Sequence, residues 1–379
     1  MTSPPSDKPK VLLVSPTLER GGAEHMVVEL AKGLTREGIA CAVCYLDGRG
    51  TLAPEIAAVG VSVRSLALPH KAWPAQFRLR RELRGFQPDV IHAHMPRAAF
   101  WAAAAKQADL PLVYTEHNVQ PVYPGWTSRL FRYFLPRTSH VIAVSHEGAD
   151  SFVGRRPVDK GKVTIIPTGV PLADLRAATT PEELRAQHGI TNEHLICAVG
   201  AVRPPKAYHF LARAVRLLVD RSLPVRCLIV GTTTVVPAEA TRVQEEIRAL
   251  GLEGIVQVTG EVASAFDYIA AGELLVLSSI HEGLPRVILE GMAAGKPVVT
   301  TNVGGCAEAV VDGETGIVVP PENPEALAAA LKYVLTHPDE ARQMGEAGRR
   351  RVEEHFTIEA MVRRHIEVYE QVIADCRRV

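Results

Sequence analysis

The chain has 379 residues, 47% of them hydrophobic and 22% charged, with a formal net charge of zero; it is longer than one domain ordinarily runs, has material for a sizeable core, and is not a nucleic-acid binder by bulk charge. The zero hides an asymmetry, because residues 1–172 hold 21 Lys and Arg against 14 Asp and Glu (+7), and the remainder holds 21 against 28 (−7). An anionic partner, such as a lipid phosphate or a membrane surface, is therefore expected at the first half.

Residues 10–16 read as a first buried strand of β-branched residues and leucine. The loop 17–22 carries a Gly-Gly pair, after which apolar residues 27, 30, 31 and 34 recur at helical spacing up to Gly38. Strands follow at 39–46 and, after a short helix from Leu52, at 61–66. Residues 77–86 form a very basic helix, with Arg78, Arg80, Arg81 and Arg84, and 89–94 a strand that places His92 and His94 on one face. Helix 97–107, strand 111–115, an aromatic helix 126–135, strand 139–144, helix 146–153 and strand 162–166 continue the rhythm. A connection over 171–193 leads to strand 195–199, helix 207–221, strand 225–230, helix 239–250, strands 255–259 and 273–277, helix 285–294, strands 297–301 and 317–319, and helix 323–335. Helices 338–354 and 357–378 close the chain, the last amphipathic through Met361, His365, Val368 and Val372. Two runs of strand–helix alternation predict an α/β protein of two doubly wound, Rossmann-like domains, with ligands beyond the C-terminal strand ends in a cleft between them.

Six cysteines are scattered; Cys41 and Cys44 make a lone C-x-x-C inside a strand, so they face opposite sides and read as core residues in a reducing, cytoplasmic setting. The polar, Pro-rich first ten residues lack an apolar signal region, and no segment reaches the ~18 apolar residues needed to span a bilayer. Neither a standard secretion signal nor a membrane span is expected.

The stretch 278–290 carries the chemistry. An apolar strand ends in a polar turn with Gly283, and Pro285 stands where a first helical residue should be, ahead of Val287, Ile288 and Leu289. A strand, a tight turn and a helix N-terminus present free N–H groups to a phosphate. Glu282 in the turn and Glu290 in the helix bracket it; a plainer reading makes Glu282 a helix cap and Glu290 a solvated residue.

Other pieces stand in order along nearly the whole chain: Gly21-Gly22-Ala23-Glu24, Pro88-Asp89-Val90-Ile91-His92-Ala93-His94, Thr115-Glu116-His117-Asn118, Ile166-Pro167-Thr168-Gly169-Val170, Lys206, the Glu282/Glu290 pair at E-x₇-E spacing, Val303-Gly304-Gly305 and Asp312-Gly313-Glu314-Thr315-Gly316. With these, the sequence resembles the retaining family-4 glycosyltransferases of the GT-B fold (glycosyl transferases group 1). The resemblance implies an acceptor-binding domain over 1–172, a nucleotide-sugar-binding domain over 190–356, and a C-terminal helix, 357–379, packing back on the first domain. It implies a hexosyl transfer, with retention, from a UDP- or GDP-sugar to a glycan or lipid-linked acceptor in polysaccharide or glycolipid biosynthesis, with no cofactor or metal required.

Site roles follow from the same resemblance. Glu282 would bond donor-sugar hydroxyls near the reacting carbon and stabilise oxocarbenium-like charge, and Glu290 would accept from the ribose hydroxyls. The N–H groups of Leu284 and Arg286 would face the diphosphate, in a turn completed by Gly283 and Pro285. Lys206 and Arg203 would neutralise the leaving group, Gly21 and Gly22 would let the backbone approach it, and Val262 falls in the base-contacting loop. His117 would orient the donor sugar or the incoming hydroxyl rather than act as general base. A three-histidine metal site of His92, His94 and His117 is the less favoured alternative to packing or acceptor-lining roles.

The chain departs from the family pattern G-R-x-x-x-x-K-G by reading Gly200-Ala201-Val202-Arg203-Pro204-Pro205-Lys206-Ala207, with the arginine two residues late and alanine in place of the last glycine. Thr168 stands where asparagine is frequent. An alternative of a different class is a non-catalytic sugar-nucleotide-binding subunit; a non-hydrolysing sugar-nucleotide epimerase shares the fold but not the E-x₇-E context. Trp126, Leu130, Phe131, Tyr133 and Phe134 interleave with Arg129, Arg132 and Arg137, which with helix 77–86 suggests a face for an anionic membrane surface and a peripheral location; the plainer reading packs these aromatics on the sheet.

Overall fold

The computed structural model describes residues 8–67, 74–118, 127–156 and 158–378. Two compact units emerge, Met1–Gly169 with Ile358–Val379, and Val170–Thr357.

The first unit follows the order β1 (Val11–Ser15), α1 (Gly22–Arg36), β2 (Cys41–Tyr45), α2 (Ala53–Ala57), β3 (Ser62–Ser65), α3 (Pro74–Phe86), β4 (Val90–His94), α4 (Met95–Ala105), β5 (Leu112–Glu116), α5 (Thr127–Phe134), β6 (His140–Ala143), α6 (His146–Arg155) and β7 (Val163–Ile165). The strands form one parallel sheet in the order β3-β2-β1-β4-β5-β6-β7. Its register is set at the centre, where Val11 pairs with Cys41 on one side and Val90 on the other. Helices cover both faces, so β1 is buried along its whole length and its sequence is continuously apolar rather than alternating.

The second unit holds α7 (Pro181–Gln187), β8 (His194–Val199), α8 (Tyr208–Asp220), β9 (Val225–Val230), α9 (Pro237–Ala249), β10 (Val256–Gly260), α10 (Ala265–Ala271), β11 (Leu274–Leu277), α11 (Arg286–Ala293), β12 (Val298–Thr301), α12 (Cys306–Ala309), β13 (Gly316–Val319), α13 (Pro324–Thr336) and α14 (Pro338–His355). The sheet is again parallel, ordered β10-β9-β8-β11-β12-β13, around a core that includes Ile196, Leu211, Val215, Ile229, Leu274, Val276 and Leu331.

The last helix, α15 (Ile358–Arg378), belongs to the first unit. Its stripe of Ile358, Met361, Val362, Val368, Tyr369 and Val372 is buried, and each such side chain contributes roughly 1.5–3 kcal/mol on leaving water. Gly33 on α1 permits the approach, since a Cβ there would stand 2.3 Å from Val362 Cγ2. The two doubly wound sheets and the returning helix are the expected architecture. No helix among the described residues is long and apolar enough to cross a membrane.

Several local expectations are corrected. The connection 171–193 contains α7, started by a capping box in which the Thr180 hydroxyl accepts from the Glu183 N–H and Glu183 reaches back to the Thr180 N–H. The gap between β10 and β11 contains α10, capped by Ser264 and tied to the connection through Asp267, which accepts from the N–H groups of Ala178 and Thr179. Pro285 is the residue before α11 rather than its first residue, with an extended ψ of 115°. The aromatic stretch divides: Phe131 and Phe134 are buried against Tyr114 and Phe152, so they are core and not part of an outward face, and Trp126 lies outside the described residues. In α3, Arg78 bonds the carbonyls of Leu66 and Ala67, and Arg80 those of Ala104 and Ala105 at the end of α4. Two of the four arginines therefore bond the carbonyls just after β3 and at the end of α4, and Arg81 and Arg84 are left exposed.

Candidate functional site

In the second sheet, successive strands run outward in opposite directions from the β8/β11 pair, which makes it the topological switch point. The loops leaving the C-terminal ends of β8 and β11 diverge there. One carries Lys206 and the other Glu282, and their side chains meet, with Lys206 Nζ 2.6 Å from Glu282 Oε1. Both are mostly enclosed, at 12% and 14% side-chain exposure, so the pair is only weakly screened by solvent.

The two loops are stitched together. The Ile280 N–H donates to the Pro205 carbonyl at 2.8 Å and the Ser278 hydroxyl to the Lys206 carbonyl at 2.9 Å. Ser279 donates to Glu282 Oε1 at 2.7 Å, and Thr301, at the end of β12, donates to the Ser279 carbonyl at 2.5 Å. The Gly305 N–H donates to the Gly283 carbonyl. Gly304 closes the shell: its φ is 54°, and a Cβ there would stand 2.1 Å from the Glu282 carbonyl oxygen. Ser278, Ser279, Thr301 and Gly304 stand in motifs the sequence shows but carry no assigned role there; the two serines precede the carboxylate in the motif itself, whereas Thr301 and Gly304 become its neighbours only through β12.

Behind the turn, α11 begins with Arg286, and Glu290 follows one turn later. Arg286 Nε lies 2.8 Å from Glu290 Oε1. Burial pushes the Glu290 carboxyl above its ordinary range, and the Arg286 charge only partly opposes this. Gly283, Leu284 and Pro285 are buried in the turn, and the N–H groups of Leu284 and Arg286 have no acceptor among the described residues. They are donors left over at a helix start.

The Arg203 side chain stands apart from this assembly: it is exposed and makes no hydrogen bond or ion pair among the described residues, while its carbonyl accepts from the Lys206 N–H. The departure at Ala207 is resolved differently. Ala207 has φ 49° and ψ 41°, the left-handed conformation that glycine adopts freely. Val262 is half-buried just beyond β10, which is the edge strand and two strands away from β8.

In the first unit the switch point is β1/β4. Gly21 caps α1 directly after the β1 loop; Gly22 is exposed, with nothing within 4 Å of where a Cβ would be. Glu24 in the first turn accepts from the Thr17 hydroxyl at 2.8 Å. His117 follows β5 and is half-buried, with Nε2 3.0 Å from His94 Nδ1. Burial, aided by nearby His365, holds His117 down to about 3, so it is a neutral ring and a poor base near neutral pH. His92 has both nitrogens engaged, one with the Tyr369 hydroxyl at 2.7 Å and the other with Thr115 Oγ1 at 2.6 Å. Its ring cannot join His94 and His117 around a common ion without giving up these bonds.

The family described as Glycosyltransferase Family 4 matches residues 20–174, and the family described as Glycosyl transferases group 1 matches residues 181–351. The chain is 28% identical to a D-inositol 3-phosphate glycosyltransferase of Streptomyces scabiei over 96% of this chain and 89% of that protein. Among solved structures, a glycosyltransferase from Rickettsia africae superimposes with a TM-score of 0.85 at 24% identity, covering 97% of this chain and 99% of that one. Anabaena HepE in complex with UDP-glucose superimposes with a TM-score of 0.84 at 22% identity, covering 96% and 100%. The chain belongs to the glycosyltransferases of the GT-B fold, its first half of the Glycosyltransferase Family 4 type and its second half of the group 1 type.

Proposed function

We propose that this glycosyltransferase moves a sugar from a nucleotide diphosphate sugar, a UDP- or GDP-sugar, to a hydroxyl of a glycan or lipid-linked acceptor, with retention at C1. The observation that carries this reading is the Lys206–Glu282 pair at the switch point, with Glu290 and the unengaged N–H groups of Leu284 and Arg286 beside it. Those N–H groups and Lys206 suit a diphosphate, Glu290 suits a vicinal ribose diol, and Glu282 suits sugar hydroxyls next to the reacting carbon. UDP-glucose in the structurally similar HepE supports the donor class.

As the C1–O bond to the diphosphate breaks, negative charge grows on the leaving oxygen and positive charge on C1. Lys206 neutralises the first and the Glu282 carboxylate the second. The acceptor hydroxyl then bonds to C1 from the face the diphosphate leaves, and its proton passes to the departing phosphate oxygen, which gives retention. Gly21 and Gly22 offer backbone to the diphosphate without side-chain obstruction. Arg203 has no partner to surrender and serves as a second cation for the same charge. Val262 lines the base, and His117 orients the sugar.

The acceptor side is read from the basic first half. Phe77 is 60% exposed beside exposed Arg81 and Arg84 on α3, which supports a peripheral position on an anionic membrane surface facing the cytoplasm. Sedimentation with anionic vesicles at low salt, lost in Arg81→Glu/Arg84→Glu, is expected; equal sedimentation of the two proteins removes α3 from this role. For the chemistry, Glu282→Ala abolishes transfer with an unchanged circular dichroism spectrum, and wild-type turnover in that variant refutes the assignment.

A further inference from the structure

More imidazole surrounds His117 than the transfer reading uses. His94 is the last residue of β4, is fully buried, and places Nδ1 3.0 Å from His117 Nε2. No loop follows it. α4 starts at Met95, whose φ of 69° is left-handed and therefore strained for a residue with a side chain. Such strain persists only where its surroundings enforce it, and here it fixes the direction in which His94 leaves the sheet. On the other side, His92 packs on His94 with ring centroids 4.2 Å apart, and its own nitrogens are committed to Tyr369 and Thr115. His92 is thus a wall for His94 and not a hydrogen-bond partner.

Two neutral imidazoles in N···N contact share one proton in that contact. If His117 donated it, the His94 proton would have to sit on Nε2, which is buried and has no partner among the described residues. An orphaned buried N–H is tolerated less well than a bare lone pair. The His94 proton therefore sits on Nδ1 and is donated to His117 Nε2. His117, accepting at Nε2, carries its own proton on Nδ1, the nitrogen that protein does not enclose.

We propose that His94 is a positioning residue: by donating from Nδ1 it locks His117 in the Nδ1–H tautomer and makes His117 a hydrogen-bond donor to an oxygen of the transferred sugar. The proposal rests on the reading that His117 faces the donor sugar. It also restricts the substrate, because a donor-only contact selects sugars with an oxygen at that position over their deoxy analogues.

Long-range proton–nitrogen correlation NMR of the imidazole rings tests the tautomer directly in the full-length protein. His117 is expected as Nδ1–H in the wild type, shifting toward Nε2–H in His94→Phe and remaining Nδ1–H in His94→Asn, whose amide nitrogen takes the place of Nδ1. With the tautomer, kcat/KM is expected to fall about tenfold in His94→Phe and to recover in His94→Asn. An Nε2–H ring in the wild type, or no change of tautomer in His94→Phe, overturns the proposal whatever the activity. A shifted tautomer with undiminished kcat/KM overturns the positioning role. Wild-type turnover in His117→Ala instead strikes the underlying reading of His117, which the NMR result does not depend on. Should His94→Phe fail to fold, the wild-type and His94→Asn spectra still decide the tautomer.

Discussion

Lys206 and Glu282 are each other's counter-ion at 2.6 Å, and this pairing offsets part of the cost of enclosing both charges. Lys206→Ala is expected to lower kcat about 10²–10³-fold, the scale of losing one preorganised electrostatic partner of a developing charge, and steady-state kinetics with a saturating donor measure this. The adjoining Ala207 gives a stability prediction. Its φ of 49° costs a residue with a Cβ what glycine does not pay, so Ala207→Gly is expected to stabilise the chain by about 1 kcal/mol, read as a higher urea midpoint at unchanged m-value. The sequence shows alanine in place of a family glycine, but only the dihedral shows that this alanine is left-handed. For Arg203 the sequence offers a place in the motif, and the structure adds that its side chain is exposed.

The central strands were the most legible elements, since parallel strands covered on both faces read as unbroken apolar runs. Short helices were not: α7 and α10 have seven residues each, too few turns to show a helical period, and both start at side-chain caps, Thr180 and Ser264. Nor could the strand neighbours that bring Thr301 and Gly304 to the Glu282 turn be read, because the sequence does not print the β11/β12 pairing. Gly304→Ala tests that support. A Cβ 2.1 Å from the Glu282 carbonyl must push the turn away, so transfer is expected to be lost with helix content retained, whereas undiminished transfer shows that the turn tolerates displacement. The histidines under α15 give a pH prediction. Burial pushes His92 and His94 well below 6.5 and His365 down to about 4. The unfolded chain therefore binds protons that the folded one refuses; stability is whole above about pH 6.5 and falls as pH drops, by up to about 1.4 kcal/mol per pH unit for each group. For His365 the loss ends near pH 4. The urea midpoint is expected to drop between pH 8 and pH 5, and to drop less in His365→Leu; equal slopes in the two proteins contradict the assignment.

At the scale of the molecule, two parallel sheets carry different chemistry at their switch points: carboxylates, a lysine and a helix start in the second unit, and neutral histidines and a glycine pair in the first. The charge asymmetry of +7 against −7 follows the same division of the sequence. The central claim is retaining transfer from a nucleotide sugar with Glu282 at the reacting carbon. Its most direct measurement is incubation of wild type and Glu282→Ala with a panel of UDP-, GDP- and ADP-sugars and hydroxyl-bearing glycan and lipid-linked acceptors, with the anomeric configuration of the product read by proton NMR. The account predicts turnover of at least one UDP- or GDP-sugar, the donor's configuration preserved in the product, and none from Glu282→Ala. An inverted product, or equal turnover by the variant, would contradict it.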